Sequence, residues 1–300
     1  MSDNKPTHLG VINAVSAYTM WGIAPLYFKL ITDIAPSEIL IHRIIWSFLL
    51  LSIIVVLMNK KAEVQQLFRQ PKLLLGLTIS ALFLGCNWFL FIWAINNDHL
   101  LDASLGYFIN PLFSVALGMI FLGERLKKWQ KFAVILAALG VLIQLISFGT
   151  LPIISLALAG TFGIYGLLRK KMFIDSFVGL LFESLLMLPI AILYWHFYSF
   201  SPTSNMFTNE LSLNITLVLA GVVTTAPLLC FTAAAKRLSL STLGFFQYIG
   251  PSIMFLMATL MFGEQLKVEK LVTFIFIWVA LVVFSVDSFK KNQQQPTTSS

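Results

Sequence analysis

Ten apolar stretches, each close to twenty residues, run through this chain near positions 10–31, 38–58, 73–95, 103–122, 132–149, 151–168, 176–198, 213–235, 240–262 and 270–287. Crossing a hydrocarbon core of about 30 Å takes about 20 helical residues. No water is present there to satisfy a bare backbone, so each stretch is restricted to a helix. Hydrophobic residues make up 58% of the chain and charged residues 11%, against roughly 45–50% and about 25% in soluble domains. The expected fold class is all-α and membrane-integral, with ten transmembrane helices. The last stretch is the thinnest, with Leu271–Val286 as its uncharged part and Lys270 placed to snorkel to the interface. The first is too long for a signal-peptide core and is followed by no small-residue cleavage pattern, so it counts as a span.

The chain also repeats itself. Gly123-Glu124-Arg125-Leu126-Lys127 recurs as Gly263-Glu264-Gln265-Leu266-Lys267, and the same register of 140 residues relates Ile109 to Ile249 and Pro111 to Pro251. Trp21-Gly22-Ile23 with Leu26 and Lys29 recurs as Phe162-Gly163-Ile164 with Leu167 and Lys170. Duplication in an apolar chain is a mark of membrane transporters whose halves rock about a midplane site. Five spans per half is an odd number, so the second half enters the membrane from the opposite side. The expected organisation is a five-helix repeat over 1–149, an inverted five-helix repeat over 150–289, and a polar tail over 290–300 whose composition reads as disordered.

Orientation follows from the cations. With the amino terminus inside, sixteen of the 20 lysines and arginines fall on the cytoplasmic side, leaving Lys29, Arg43, Lys267 and Lys270. Both termini are then cytoplasmic. The formal charge of +7 belongs to this topology, because the cations are spread over separate loops rather than forming the basic face of a nucleic-acid binder.

The residue inventory gives an enzyme little to stand on. Cys86 and Cys230 lie in different spans, the four histidines lack the i, i+4 spacing of a helical zinc site, and neither a P-loop nor a Gly-x-Ser-x-Gly elbow occurs. No cofactor or metal is called for, and the short connections leave no room for a soluble catalytic domain.

Charges inside the spans cost roughly 2.5–3.5 kcal/mol each on insertion scales and so require a reason. Glu38 and His42 open the second span four residues apart, on one face, while Arg43 lies some 140° around the cylinder from Glu38. His42 and Arg43 either meet a polar or anionic substrate group at the outer mouth or make structural salt bridges at the interface. Glu183 is a lone carboxylate deep in the seventh span. It is either a proton carrier or the structural partner of a cation such as Lys29 or Arg43. Lys29 also belongs to the rim, one turn before Asp33.

Span four carries a polar stripe of Ser104, Tyr107, Asn110 and Ser114 beside Pro111, and span nine carries Gln247 and Tyr248 beside Pro251. Such stripes face protein or a water-filled cavity. Interhelical glue is the alternative, and the duplication favours the cavity. Trp21, Asn87 and Trp88 add candidate lining, Trp88 with a face to stack on a flat or cationic solute. Pro111 and Pro251 are candidate matched hinges.

Several runs carry a resemblance: Trp21-Gly22-x-x-Pro25-x-Tyr27-x-Lys29, Glu38-Ile39-Leu40-x-His42-Arg43-x-x-Trp46-Ser47, Asn87-Trp88 with Trp93, Ala103 through Leu112, and Gln247-Tyr248-x-x-Pro251. These resemble RarD proteins, bacterial members of the EamA branch of the drug/metabolite transporter superfamily, over nearly the whole chain. The resemblance implies ten helices in two inverted five-helix repeats, an inner-membrane location and carriage of small organic molecules. RarD proteins are described as chloramphenicol permeases. The leading expectation is a secondary transporter of a small metabolite or drug, with the bilayer as its other partner and room for a coupling ion, a proton or another. The alternative class is a membrane scaffold or lipid-translocating subunit working with a partner, which would tolerate loss of the polar stripes.

Overall fold

The computed structural model describes residues 5–97, 99–149, 151–198, 203, 205–261 and 268–293. Among them every regular element is helical. In chain order these are α1 (Lys5–Phe28), a single 3₁₀ turn (Lys29–Ile31), α2 (Pro36–Leu57), α3 (Lys61–Phe68), α4 (Pro71–Asn96), α5 (Leu100–Leu122) and α6 (Lys128–Phe148). Then come α7 (Ile153–Lys171), α8 (Ser176–Tyr198), α9 (Leu211–Arg237), α10 (Leu240–Phe246), α11 (Ile249–Leu260) and α12 (Val268–Gln293). The short α3 lies between spans, and α10 with α11 makes one, so the described residues contain ten helices long and apolar enough to cross a membrane. The second Gly-Glu-x-Leu-Lys copy, Asp98 and residues 294–300 lie outside the described residues. Helix α12 continues to Gln293 and so takes up the start of the segment expected as a tail.

Local chemistry sets the ends. Pro36 and Pro71 sit in the first turns of α2 and α4, where a missing N–H costs nothing. Gly123 and Gly149 close α5 and α6 in the left-handed region, at φ of 65° and 77°.

The bundle buries small and polar residues and exposes large apolar ones, as lipid requires. Ser47, Ser80, Ser114, Thr224, Thr225 and Thr232 are buried, while Ile53, Leu57, Phe89, Ile120 and Ile146 are exposed. Close backbone approach is part of this packing. A Cβ on Gly221 of α9 would lie 2.6 Å from the Trp46 backbone of α2, and one on Gly244 of α10 would lie 2.8 Å from the Pro111 carbonyl of α5.

Helices α2 and α8, α5 and α10, and α6 and α12 pack together. The remaining close pairs come in couples: α5 on α7 with α1 on α11, α1 on α9 with α4 on α7, and α2 on α9 with α4 on α8. Exchanging each span with the one five places away turns one member of each couple into the other.

Span nine is broken where span four is continuous. Between α10 and α11 the N–H groups of Gln247, Tyr248 and Gly250 donate to the carbonyls three residues back. Pro251 accounts for this, since it has no N–H and its ring crowds the carbonyl of Gln247 four residues earlier. Its repeat equivalent Pro111 sits inside an unbroken α5. The two candidate hinges therefore differ in their local backbone, continuous at Pro111 and interrupted before Pro251.

Candidate substrate cavity

Spans two, three, seven and eight, not the striped spans four and nine, line a small cavity among the described residues. Its walls are Ser47 and Leu51 of α2, Leu84 and Trp88 of α4, Leu180, Glu183, Ser184 and Met187 of α8, and Thr224, Thr225 and Leu228 of α9. At about 10 Å³ it has room for roughly one water. Ser47 and the Thr pair interrupt apolar helices with hydroxyls, the signal that sequence reasoning passed over.

Arg43 stands at one side of this cavity. Its Nε donates to Thr224 Oγ1 at 2.8 Å, and its guanidinium carbon lies 4.9 Å from the centre of the Trp88 ring. The hydroxyls of Tyr27 and Tyr107 are within electrostatic reach. Tyr107 keeps 42% of its surface accessible and Arg43 an intermediate share.

The helical-angle argument for α2 holds. Glu38 and His42 share a buried face turned away from Arg43: His42 packs on Trp195 of α8 with ring centres 5.3 Å apart, and its Nδ1 accepts from Trp46 Nε1 at 3.2 Å. Glu38 accepts from Thr203 Oγ1 at 3.2 Å. The structure thus does not bring His42 to Arg43.

Glu183 requires a correction. Its partner is neither Lys29 nor Arg43 but Arg169 of α7, whose Nη1 lies 3.5 Å from Oε1, both side chains being fully buried. Ser80 of α4 donates to Oε1 at 2.5 Å and Tyr165 to Oε2 at 3.4 Å. Arg169 opens the cation run Arg169-Lys170-Lys171 in the last turn of α7, one of the runs that the cation count assigns to the cytoplasmic side, but its own side chain turns inward and is buried. Lys29 sits exposed in the 3₁₀ turn after α1.

Most of the other candidates tie helices together. Asn87 Nδ2 donates to the Leu158 carbonyl and to Thr161 Oγ1, both at 2.9 Å, tying α4 to α7. Gln247 Nε2 donates to Ser114 Oγ at 3.2 Å, joining the two stripes to each other. Tyr248 donates to the Phe108 carbonyl at 3.3 Å. Trp21 packs on Phe162 with ring centres 5.7 Å apart. Asn110 is partly buried with Oδ1 unpartnered.

The end of the bundle where α7 and α9 finish and α10 begins is laced shut. Glu124, placed by the left-handed Gly123, accepts from Leu240 N at 2.6 Å, Ser241 N at 2.8 Å and Ser241 Oγ at 2.7 Å. Lys170 donates to the Ala235 and Leu238 carbonyls. Lys236 donates to the Ile174 carbonyl. Lys60 and Asp175 pair at 2.8 Å, and Asp175 also accepts from the Phe177 and Val178 amides opening α8.

For Asp175, burial favours the neutral form, but Lys60 and those two amides outweigh it and hold the carboxyl below its ordinary 3.8. A lowered folded pKa contributes stability above 3.8 that fades as pH falls through the folded value. Asp175→Asn is therefore expected to lower the thermal midpoint slightly at pH 7, by the equivalent of about 0–1 kcal/mol for so accessible a pair. The gap to wild type should close as pH drops towards 3. A gap that stays constant between pH 7 and 3 refutes the pairing.

The profile of the EamA-like transporter family matches residues 8–146. An uncharacterized transporter of Vibrio cholerae is 56% identical over 96% of this chain and 95% of its own. The protein RarD of Salmonella typhimurium is 55% identical over 95% and 97%, and that of Escherichia coli 53% identical over the same shares. A solved crystal structure shares the fold at a TM-score of 0.73, with 16% identity over 93% of this chain and 98% of that one. Identity above one half along nearly the full length, on a bundle of ten spanning helices, is far beyond what shared composition produces, and the chain belongs to the EamA-like transporter family of multi-pass membrane proteins.

Proposed function

We propose that the chain is a secondary transporter that carries a small organic solute across the bacterial inner membrane by alternating access, through the cavity between spans two, three, seven and eight. The observation that carries this reading is Arg43, a cation within a span that stays partly accessible and is held by Trp88 and Thr224, both of which also line the cavity. The two moving units are an amino-terminal repeat, 1–149, and an inverted one, 150–289, with both termini cytoplasmic. Contacts between register equivalents support this: Tyr248 on Phe108 and Trp21 on Phe162 are what a two-fold axis between halves produces. Glu183 is the proposed coupling carboxylate, free to exchange a proton when Arg169 parts from it. The laced end around Glu124 is the proposed closed cytoplasmic gate, and His42, Gln247 and Tyr248 support the walls.

Proteoliposome exchange with a panel of metabolites and the neutral drug chloramphenicol, under imposed pH and sodium gradients, tests the reading. Leu84→Trp fills the cavity and is expected to reduce exchange at least tenfold while insertion into the membrane is unchanged. Full exchange by this variant places the route elsewhere.

A further inference from the structure

We propose that the solute is a small organic anion, a carboxylate with an apolar body, whose head group binds Arg43; this rests on the cavity reading above. Arg43 is the eighth residue of α2, about 10 Å along the helix from its start and so well inside the hydrocarbon thickness. Two arginine side chains turn into the bundle, and only one is neutralised. Arg169 faces Glu183. Among the described residues no carboxylate lies within 4.0 Å of Arg43.

What Arg43 does touch leaves its charge unmet. Nε is used by Thr224, and one face of the guanidinium lies on Trp88. Its two terminal nitrogens have no protein acceptor among the described residues and are not among the buried polar atoms left without a partner, so they stay accessible. A guanidinium presents that free edge as a planar fork matched to a carboxylate. Leaving it empty in low dielectric is costly, and an anionic solute removes the cost when it binds.

The surroundings select the rest of the molecule. Trp88 and Thr224 belong both to the Arg43 site and to the cavity, whose apolar walls Leu51, Leu84, Met187 and Leu228 would part to receive an apolar body when the helices rock open. The one carboxylate on the cavity wall, Glu183, is already occupied by Arg169, Ser80 and Tyr165. An ammonium on the solute would meet no free counter-charge, so the site fits a monoanion better than a zwitterion or a cation.

Three probes with one body separate these cases: 3-phenylpropanoate, its amide and 3-phenylpropylamine, titrated against the full-length protein in detergent by tryptophan fluorescence and thermal midpoint. The carboxylate is expected to bind at least 10-fold tighter than the other two, as hydrogen bonds to a charged group predict. Arg43→Gln should erase that preference to within about twofold, and Arg43→Lys should keep part of it. Without ligand, Arg43→Gln should melt no lower than wild type, because it removes an unmet charge rather than half of an ion pair. Equal or tighter binding of the amide or amine, a preference that survives Arg43→Gln, no binding of any probe, or a glutamine variant that melts lower or fails to fold each overturns the proposal. The two readings fail separately. Exchange of the amide or amine by a route that Leu84→Trp blocks removes only the anionic class, whereas carboxylate uptake untouched by Leu84→Trp removes the cavity.

Discussion

Replacing Arg169 with alanine is expected to lower stability by about 3–5 kcal/mol, because Glu183 is left fully buried without its cation. The guanidinium also fills space directly against Gly179 of α8, where an added Cβ would come within 2.2 Å of Nη1, so truncation opens a cavity between the Arg169 stem and α8 as well. The double replacement Arg169→Met with Glu183→Met removes both charges at similar volume and is expected to recover most of the loss. Thermal unfolding in detergent checks both variants. An alanine variant as stable as wild type would mean that the pair is not formed in solution. The same pair bounds the coupling proposal: Glu183→Gln should still exchange solute but no longer concentrate it against a pH gradient, and accumulation that persists would remove Glu183 as the carrier.

Glu124→Ala is expected to unlatch the end of the bundle proposed to face the cytoplasm. The carboxylate holds two amides and a hydroxyl at the start of α10. A hydrogen bond to a charged group is worth about 1.5–3 kcal/mol, so losing even one net bond shifts an open–closed equilibrium by roughly tenfold or more. Leu117 lies buried in α5 beneath this latch, its side chain close to Gly163 of α7. A cysteine placed there should react at least tenfold faster with an impermeant maleimide from the cytoplasmic face when Glu124 is alanine. Unchanged labelling together with a lower melting temperature would make Glu124 a structural cap and not a latch.

Much of this architecture is legible without coordinates, for physical reasons. A bilayer demands uninterrupted apolar runs of fixed length, so the ten spans can be counted directly. A helix advances by a fixed angle per residue, so Glu38 and His42 share a face and Arg43 cannot join them. What a helix faces is a different matter, because it depends on rotation and docking against helices far away in the chain. Glu183 and Arg169 are fourteen residues apart on successive helices and meet only because α7 and α8 both pack against α4, which also supplies Ser80 to the carboxylate. Sequence spacing pointed to Lys29 or Arg43 and counted Arg169 among the loop cations. The stripes of spans four and nine were read as lining, since polar groups at depth must find partners, but in the structure Gln247 and Ser114 find each other. The hydroxyls that do line the cavity, Ser47 and Thr224, looked like unremarked small residues in apolar helices. Sequence alone therefore determined the number of spans, the recurring motifs and the faces within each helix. Tertiary structure alone decided which polar groups neutralise one another and which, like Arg43, are left without a counter-charge.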